Sequence, residues 1–250
     1  MVQWLVMFAA APVRELLTGL VSLVYPPHCL LCQVPLTSEA ADPLCLPCEA
    51  SLPGNPSPWC QGCGRSLAGF GMDVTRCAAC RTEPRGVEEA RAACRYEGAG
   101  KACIVQLKYQ RQLGLAAPMA RRMVVAAVTP PAMAADVIVP VPLHPVRRRE
   151  REFNQSAVLA ERLGEALGLP ILEEALHRHR PTALQAQLDA HARRRNVANA
   201  FIVPSPALVR GRAILLVDDV LTTGATVRAC AAALREAGAT RVSILTFAHG

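Results

Sequence analysis

Three things are scarce in this chain, and each scarcity excludes something. Lysine occurs only at Lys101 and Lys108, so nearly all of the 27 basic side chains are arginine. In a chain this rich in alanine, that reads as coding bias rather than as a signature of nucleic-acid binding. Aromatic residues make up only 4%, too few for a row of stacking platforms along a single strand. Long hydrophobic runs are missing as well. The apolar stretch at residues 1–11 is broken by Pro12, Arg14 and Glu15, well short of the ~20 residues a membrane span requires, and it lacks the basic start of a secretory signal. With Leu16, Leu17, Leu20, Leu23 and Val24 it reads as helix packed on the protein. The expectation is a cytoplasmic chain with no membrane span.

What is present divides into parts. At 250 residues, 52% of them hydrophobic, the chain can bury a substantial core. Its formal charge of +7 is unevenly spread: residues 1–100 hold seven basic and nine acidic groups, residues 101–250 twenty and eleven. The basic surface belongs to the C-terminal part. Three segments are expected: 1–28 helical, 29–85 cysteine-rich, and 86–250 an α/β domain.

Eight cysteines form four CxxC pairs, Cys29/Cys32, Cys45/Cys48, Cys60/Cys63 and Cys77/Cys80. Two CxxC turns joined by a short loop present four thiolates tetrahedrally to Zn²⁺, and Gly62 and Gly64 suit such a turn. Disulfides would need an oxidising compartment, and a redox CxxC usually stands alone. Two structural zinc ions are therefore expected, with sequential pairing favoured by loop length over a cross-braced arrangement. Few aliphatic residues separate the turns, so metal supplies much of the folding energy of this region. Cys94, Cys103 and Cys230 lack CxxC partners and read as buried thiols.

Residues 214–226, ILLVDDVLTTGAT, carry the most specific chemistry. An apolar run from Ile214 to Val217 reads as a buried parallel strand, which places Asp218 and Asp219 at its C-terminal tip. A helix follows at 227–237 with Gly238 as its stop. The loop of Thr222, Thr223, Gly224, Ala225 and Thr226 thus feeds a helix N-terminus, a place suited to a phosphate. Two acids would repel a naked phosphate, so the ligand must also offer hydroxyls, with Mg²⁺ nearby; a ribose 5-phosphate does so. The stretch resembles the phosphoribosyl pyrophosphate (PRPP) signature of type I phosphoribosyltransferases.

The rest of the chain alternates strand and helix. Strands are expected at 90–96, 136–142, 170–176, 201–203 and 241–248, the first as part of a connector. Helices are expected at 101–110, 113–128 and 153–167, the last capped by Asn154 or Ser156 and stopped by Gly168. The arginine run 147–152 reads as a loop after the second strand that could hold a diphosphate. Residues 177–199 read as a mobile loop followed by a short helix. The pattern gives a parallel, doubly wound sheet.

The order of parts is diagnostic: four CxxC pairs, LKY at 107–109, VPVPLHP at 139–145, RRRERxFNQ at 147–155, TxxQ at 182–185, RRRN at 193–196, then the PRPP signature. This resembles the ComF family, double-zinc-ribbon phosphoribosyltransferase-like proteins linked to competence and DNA uptake. The resemblance implies a type I phosphoribosyltransferase-like sheet following a zinc-ribbon region. It implies Asp218 and Asp219 on ribose hydroxyls, Thr222 to Thr226 on the 5-phosphate, Val141, Pro142 and Leu143 as the diphosphate loop, and Arg151 on the diphosphate. Single-stranded DNA and competence-machinery proteins are the implied partners, and phosphoribosyl transfer to an unknown acceptor is the implied reaction, with PRPP sensing as the alternative. Glu152 departs from the family's RERGFNQ, where glycine stands.

Overall fold

The computed structural model describes residues 26–37, 42–71, 73–82, 87–143, 145–179 and 200–250. The helices expected in residues 1–24, and most of the loop and helix expected at 177–199, lie outside them. Among the described residues, no helix is long and apolar enough to cross a membrane. The chain forms two compact units, Met1–Ser51 and Leu52–Gly250.

In the first unit, the turn at Cys29 to Cys32 is closed by Cys29 N–H donating to Val34 O at 2.8 Å and by Gln33 N–H donating to Cys29 O at 2.9 Å. A single helical turn, α1 (Leu46–Ala50), follows Cys45 and has proline in its first turn, where a missing N–H costs nothing.

The second unit contains α2 (Ala78–Thr82), β1 (Glu89–Arg95), α3 (Gly98–Gln110), α4 (Ala116–Val128), β2 (Val137–Pro140), α5 (Pro145–Arg151), α6 (Gln155–Leu167), β3 (His177–Arg178), β4 (Phe201–Ile202), β5 (Ala213–Leu221), α7 (Ala225–Glu236) and β6 (Arg241–His249). Four strands form one parallel sheet in the order β1-β6-β5-β2. Side chains alternate across it. Val137, Val139, Ile214, Leu216, Val242 and Ile244 share one cluster with Val227, Cys230, Ala231 and Leu234 of α7. Helices α4 and α6 pack on each other, α4 against β1 and β6, α6 against β2 and β5. Strands whose residues are buried on both faces are what helices on both sides of a parallel sheet require. The doubly wound α/β fold is as expected.

Five local expectations change. The strand expected at 201–203 forms as β4, but it pairs antiparallel with β3, at the start of the expected loop, in a separate two-stranded sheet. The 90–96 segment is no connector: β1 pairs with β6 over most of its length and forms one edge of the sheet. Residues 170–176 do not make a strand; Ile171 forms a lone bridge to Ile138, and a 3₁₀ turn spans Glu173–Ala175. Pro170 and two adjacent glutamates leave too short an apolar run for a ladder. The arginine run is helical, as α5, because Pro145 opens a helix well and arginine propagates one. Finally, β5 does not stop at Val217 but continues through both aspartates to Leu221.

Candidate functional site

The last difference sets the geometry of the site. β2 pairs with β5 only as far as Pro140 opposite Val217, with Val141 N–H adding one bond to Val217 O at 2.9 Å. Beyond that point, among the described residues, β5 pairs on one side alone, Asp218 opposite Thr246 and Leu221 opposite His249 of β6. The two carboxylates therefore stand at a step in the sheet where one neighbour has ended, a crevice of the kind in which open α/β sheets bind ligands. By strand alternation Asp218 follows Ile214 and Leu216 on the α7 side, and Asp219 follows Leu215 and Val217 on the other.

The start of α6 closes the step. Asn154 caps that helix, its Oδ1 accepting from Ser156 N–H at 3.1 Å, while its Nδ2 donates to Val141 O at 3.1 Å. The next two side chains reach the acids: Gln155 Nε2 donates to Asp219 Oδ1 at 3.3 Å, and Ser156 Oγ to Asp218 Oδ1 at 2.8 Å. Lys108 of α3 places its ammonium on Asp219 Oδ2. The sequence expectation for this site missed all three. Lys108 and Gln155 stood inside quoted motifs, LKY and FNQ, and that was the only signal for them.

Electrostatics divide the pair. Burial and the Asp219 charge push the Asp218 carboxyl up to about 7, against the pull of Lys108 and Ser156. Burial also acts to raise Asp219, but Lys108 and Gln155 outweigh it and hold that carboxyl below its ordinary value. Lys108 is disfavoured by burial, yet its pKa lies above the usual ammonium value because of Asp219. One carboxylate is thus firmly ionised, and its neighbour titrates near neutrality.

Downstream, Gly224 adopts φ 73° as the residue before α7, a left-handed turn that suits glycine. Thr222 is exposed, Thr223 and Thr226 are half-buried, and Gly224 and Ala225 are buried. The helix start therefore opens beside the acids as expected, and Ala225 N–H approaches Thr223 Oγ1 only loosely, at 3.5 Å.

On the other side of the step, Pro142 and Leu143 line a cavity of about 470 Å³, together with Asn154, Arg148, Arg149, Glu173, Glu174, His177 and Arg178. Val141 is buried, with both of its backbone groups engaged. Because proline has no N–H, an amide contact from the 141–143 loop to an anion has to come from Leu143. Arg151 is not extended from a loop. It ends α5, stacks over Tyr109 at 5.0 Å and donates to Gln155 Oε1 at 3.2 Å. Glu152 follows at φ 65°, a left-handed position favouring glycine. Its carboxylate pairs with Arg111, another left-handed residue at φ 55°, at 2.7 Å.

The cysteines gather as expected in two sequential quartets, Cys29, Cys32, Cys45, Cys48 and Cys60, Cys63, Cys77, Cys80, each with its sulfurs within 4.8 Å of one another. The Cys32–Cys45 and Cys63–Cys77 sulfur separations are 3.6 and 3.8 Å. A tetrahedron with Zn–S of ~2.3 Å has edges of about 3.8 Å, so the donors fit zinc. Backbone N–H groups point at the sulfurs, Cys45 at Cys29 and Cys77 at Cys60, at 3.4 and 3.2 Å. The Cys63 thiol and the amides of Cys77, Gly62 and Cys63 pull Cys60 down to about 4 despite its burial, and thiolate is the ligating form.

Known proteins match these parts. The Double zinc ribbon domain model matches residues 20–81 and the Phosphoribosyl transferase domain model residues 135–250. A DNA utilization protein, YhgH, of Salmonella typhimurium is 32% identical over 226 residues, covering 89% of this chain and 96% of that protein. Competence protein F of Haemophilus influenzae is 28% identical over 210 residues, 82% and 90% of the two chains. Among solved structures, glutamine phosphoribosylpyrophosphate amidotransferase from B. subtilis aligns with 52% of this chain at 26% identity and a TM-score of 0.36. This chain spans 26% of that one, and so loose a likeness carries no weight.

Proposed function

Because this chain belongs to the ComF family, in which a double zinc ribbon precedes a phosphoribosyltransferase-type domain, we propose that its 214–226 segment binds PRPP. The observation that carries this reading is the carboxylate pair at the step in the sheet, next to the glycine-led start of α7. The α7 N-terminus, with its aligned amides and the hydroxyls of Thr222, Thr223 and Thr226, holds the 5-phosphate. Asp218 accepts hydrogen bonds from the ribose hydroxyls, beside Asp219, whose two oxygens Lys108 and Gln155 already hold. Leu143 and Arg151 face the diphosphate, whose charge is shared by an accompanying Mg²⁺.

If transfer occurs, the C1–oxygen bond to diphosphate breaks as the acceptor bonds to C1, through an oxocarbenium-like state. The cavity beside Pro142 and Leu143 gives the acceptor room. Thiolate zinc sites suit a reducing compartment, in keeping with a cytoplasmic protein.

The test is calorimetric titration of the zinc-loaded protein with PRPP and Mg²⁺. Binding that Asp218→Asn/Asp219→Asn abolishes supports the site; no binding by the wild type sinks it. A second reading is a PRPP sensor within a DNA-handling protein. It draws on the relatives' names and on the basic charge of residues 101–250. Its mark would be affinity for single-stranded DNA that falls steeply with salt; salt-independent or undetectable affinity counts against it.

A further inference from the structure

Leu107-Lys108-Tyr109 is the motif that the proposed reading leaves without a task. Leu107 is fully buried in the core, and Tyr109 lies exposed under Arg151. Between them Lys108 is largely buried, its side chain 19% exposed, with its ammonium on Asp219 Oδ2. Gln155 Nε2 occupies the other oxygen of Asp219. Both oxygens of that carboxylate are thus engaged from within the chain.

Asp218 differs. Its Oδ1 accepts from Ser156 Oγ and from Asp219 N–H at 2.9 Å, and among the described residues its Oδ2 takes no hydrogen bond. Two bare carboxylates would carry two charges and attract a divalent cation. With an ammonium in place on one of them, the site offers a single charge and one open oxygen.

We propose that Lys108 is the resident counter-cation of the carboxylate pair: it takes at Asp219 the place a divalent ion would take, and it leaves Asp218 as the carboxylate that accepts the ligand's hydroxyls. As regards the hydroxyls, this rests on the PRPP reading; as regards the cation, it does not. The ligand class that follows is a phosphoribosyl compound whose divalent ion rides on its own diphosphate rather than on the protein. Lys108 is in this sense a positioning and specificity residue.

Two measurements on the full zinc-loaded chain test it. The first titrates Mn²⁺ alone and follows the free-ion signal by electron paramagnetic resonance. Wild type and Lys108→Arg should show no site at the pair, whereas Lys108→Met should gain one Mn²⁺ with affinity raised at least about ten-fold, lost again in Lys108→Met/Asp219→Asn. Equal Mn²⁺ binding by wild type and Lys108→Met, with or without a site, overturns the proposal.

Should Lys108→Met fail to fold, the double variant still decides, since it removes the charges together. In PRPP calorimetry, Lys108→Met/Asp219→Asn should lose at least about five-fold less affinity than Asp218→Asn, which loses on the order of thirty-fold. Equal losses in the two overturn the assignment of Asp218. A wild type that binds no PRPP removes the phosphoribosyl reading, and the Mn²⁺ titration of wild type against Lys108→Arg and the double variant still judges Lys108: a Mn²⁺ site at the wild-type pair sinks it.

Discussion

The two cysteine quartets have the same ligands and nearly the same spacing, yet their surroundings differ. In the first, Cys29 is buried, Cys32 is exposed and the other two lie between. In the second, Cys60, Cys63 and Cys80 are buried, and they belong to the same hydrophobic cluster as β2, β5, β6 and α7.

The second quartet is joined to the sheet by specific contacts. Gly64 makes a parallel bridge to Arg91 of β1. Asn55 donates to Gly64 O at 2.8 Å and to Ala92 O at 2.6 Å, and accepts from Ser66 N–H. Trp59 lies 5.0 Å from the Arg91 guanidinium, which also donates to the Ala126 and Thr129 carbonyls at the end of α4. A zinc site that ties only its own loops can be lost locally. One that supplies part of a shared core cannot be lost without the sheet feeling it.

The largest effect expected from this difference comes from single ligand substitutions. Cys80→Ala should lower the stability of the sheet-bearing unit by about 3 kcal/mol or more, by losing a metal ligand and opening a core position, whereas Cys32→Ala should leave that unit's melting within about 0.5 kcal/mol. Thermal melts of both variants, with zinc content measured, decide it; equal losses would break the comparison.

Gly64→Ala tests the seam alone, with all eight ligands kept. A Cβ there would stand 2.8 Å from the Arg91 carbonyl carbon, at φ 70°. The expected cost is about 2–4 kcal/mol, read as a lower unfolding midpoint with zinc retained at the first quartet.

The carboxylate site extends the contrast, since its properties should not depend on zinc at the first quartet. Because the Asp218 pKa is raised in the folded protein, the stability that group contributes is complete below the ordinary carboxylate pKa and is lost as pH rises toward about 7. Its hydroxyl-accepting form grows over the same range. PRPP affinity should therefore climb by up to about ten-fold between pH ~6 and ~8 in wild type. Asp218→Asn should bind weakly at both ends, with only the ligand's own titration left. A parallel pH profile in the two proteins would discard the assignment.

The smallest effect belongs to Glu152→Gly, which relieves a left-handed non-glycine residue at the loss of one exposed ion pair. A gain of about 0.5–1 kcal/mol is expected in chemical denaturation, and a loss would mean that the Arg111 pairing matters more than the backbone.

The features legible from residue order are local. CxxC spacing named the ligands and favoured their sequential grouping, because the two halves of each site lie within one short loop of each other, and the structure decided it. The apolar run, the acids and the Thr/Gly turn identified strand, site and helix start, because hydrophobic period and turn chemistry are written over a few residues. Glycine missing at 152 was also readable, and the positive φ there supplies its physical meaning.

The remaining features depend on how distant elements pack. That β5 runs on past the end of β2, making the step at Asp218, depends on the relative lengths of two strands more than seventy residues apart. That Lys108 and Gln155 hold Asp219 depends on how α3 and α6 pack, across 111 and 64 residues of chain. That one zinc quartet joins the core while the other forms part of a separate unit rests on Asn55, Gly64 and Arg91 meeting at the sheet edge. No spacing encodes such contacts, because they arise from which surfaces close on one another when the sheet is buried.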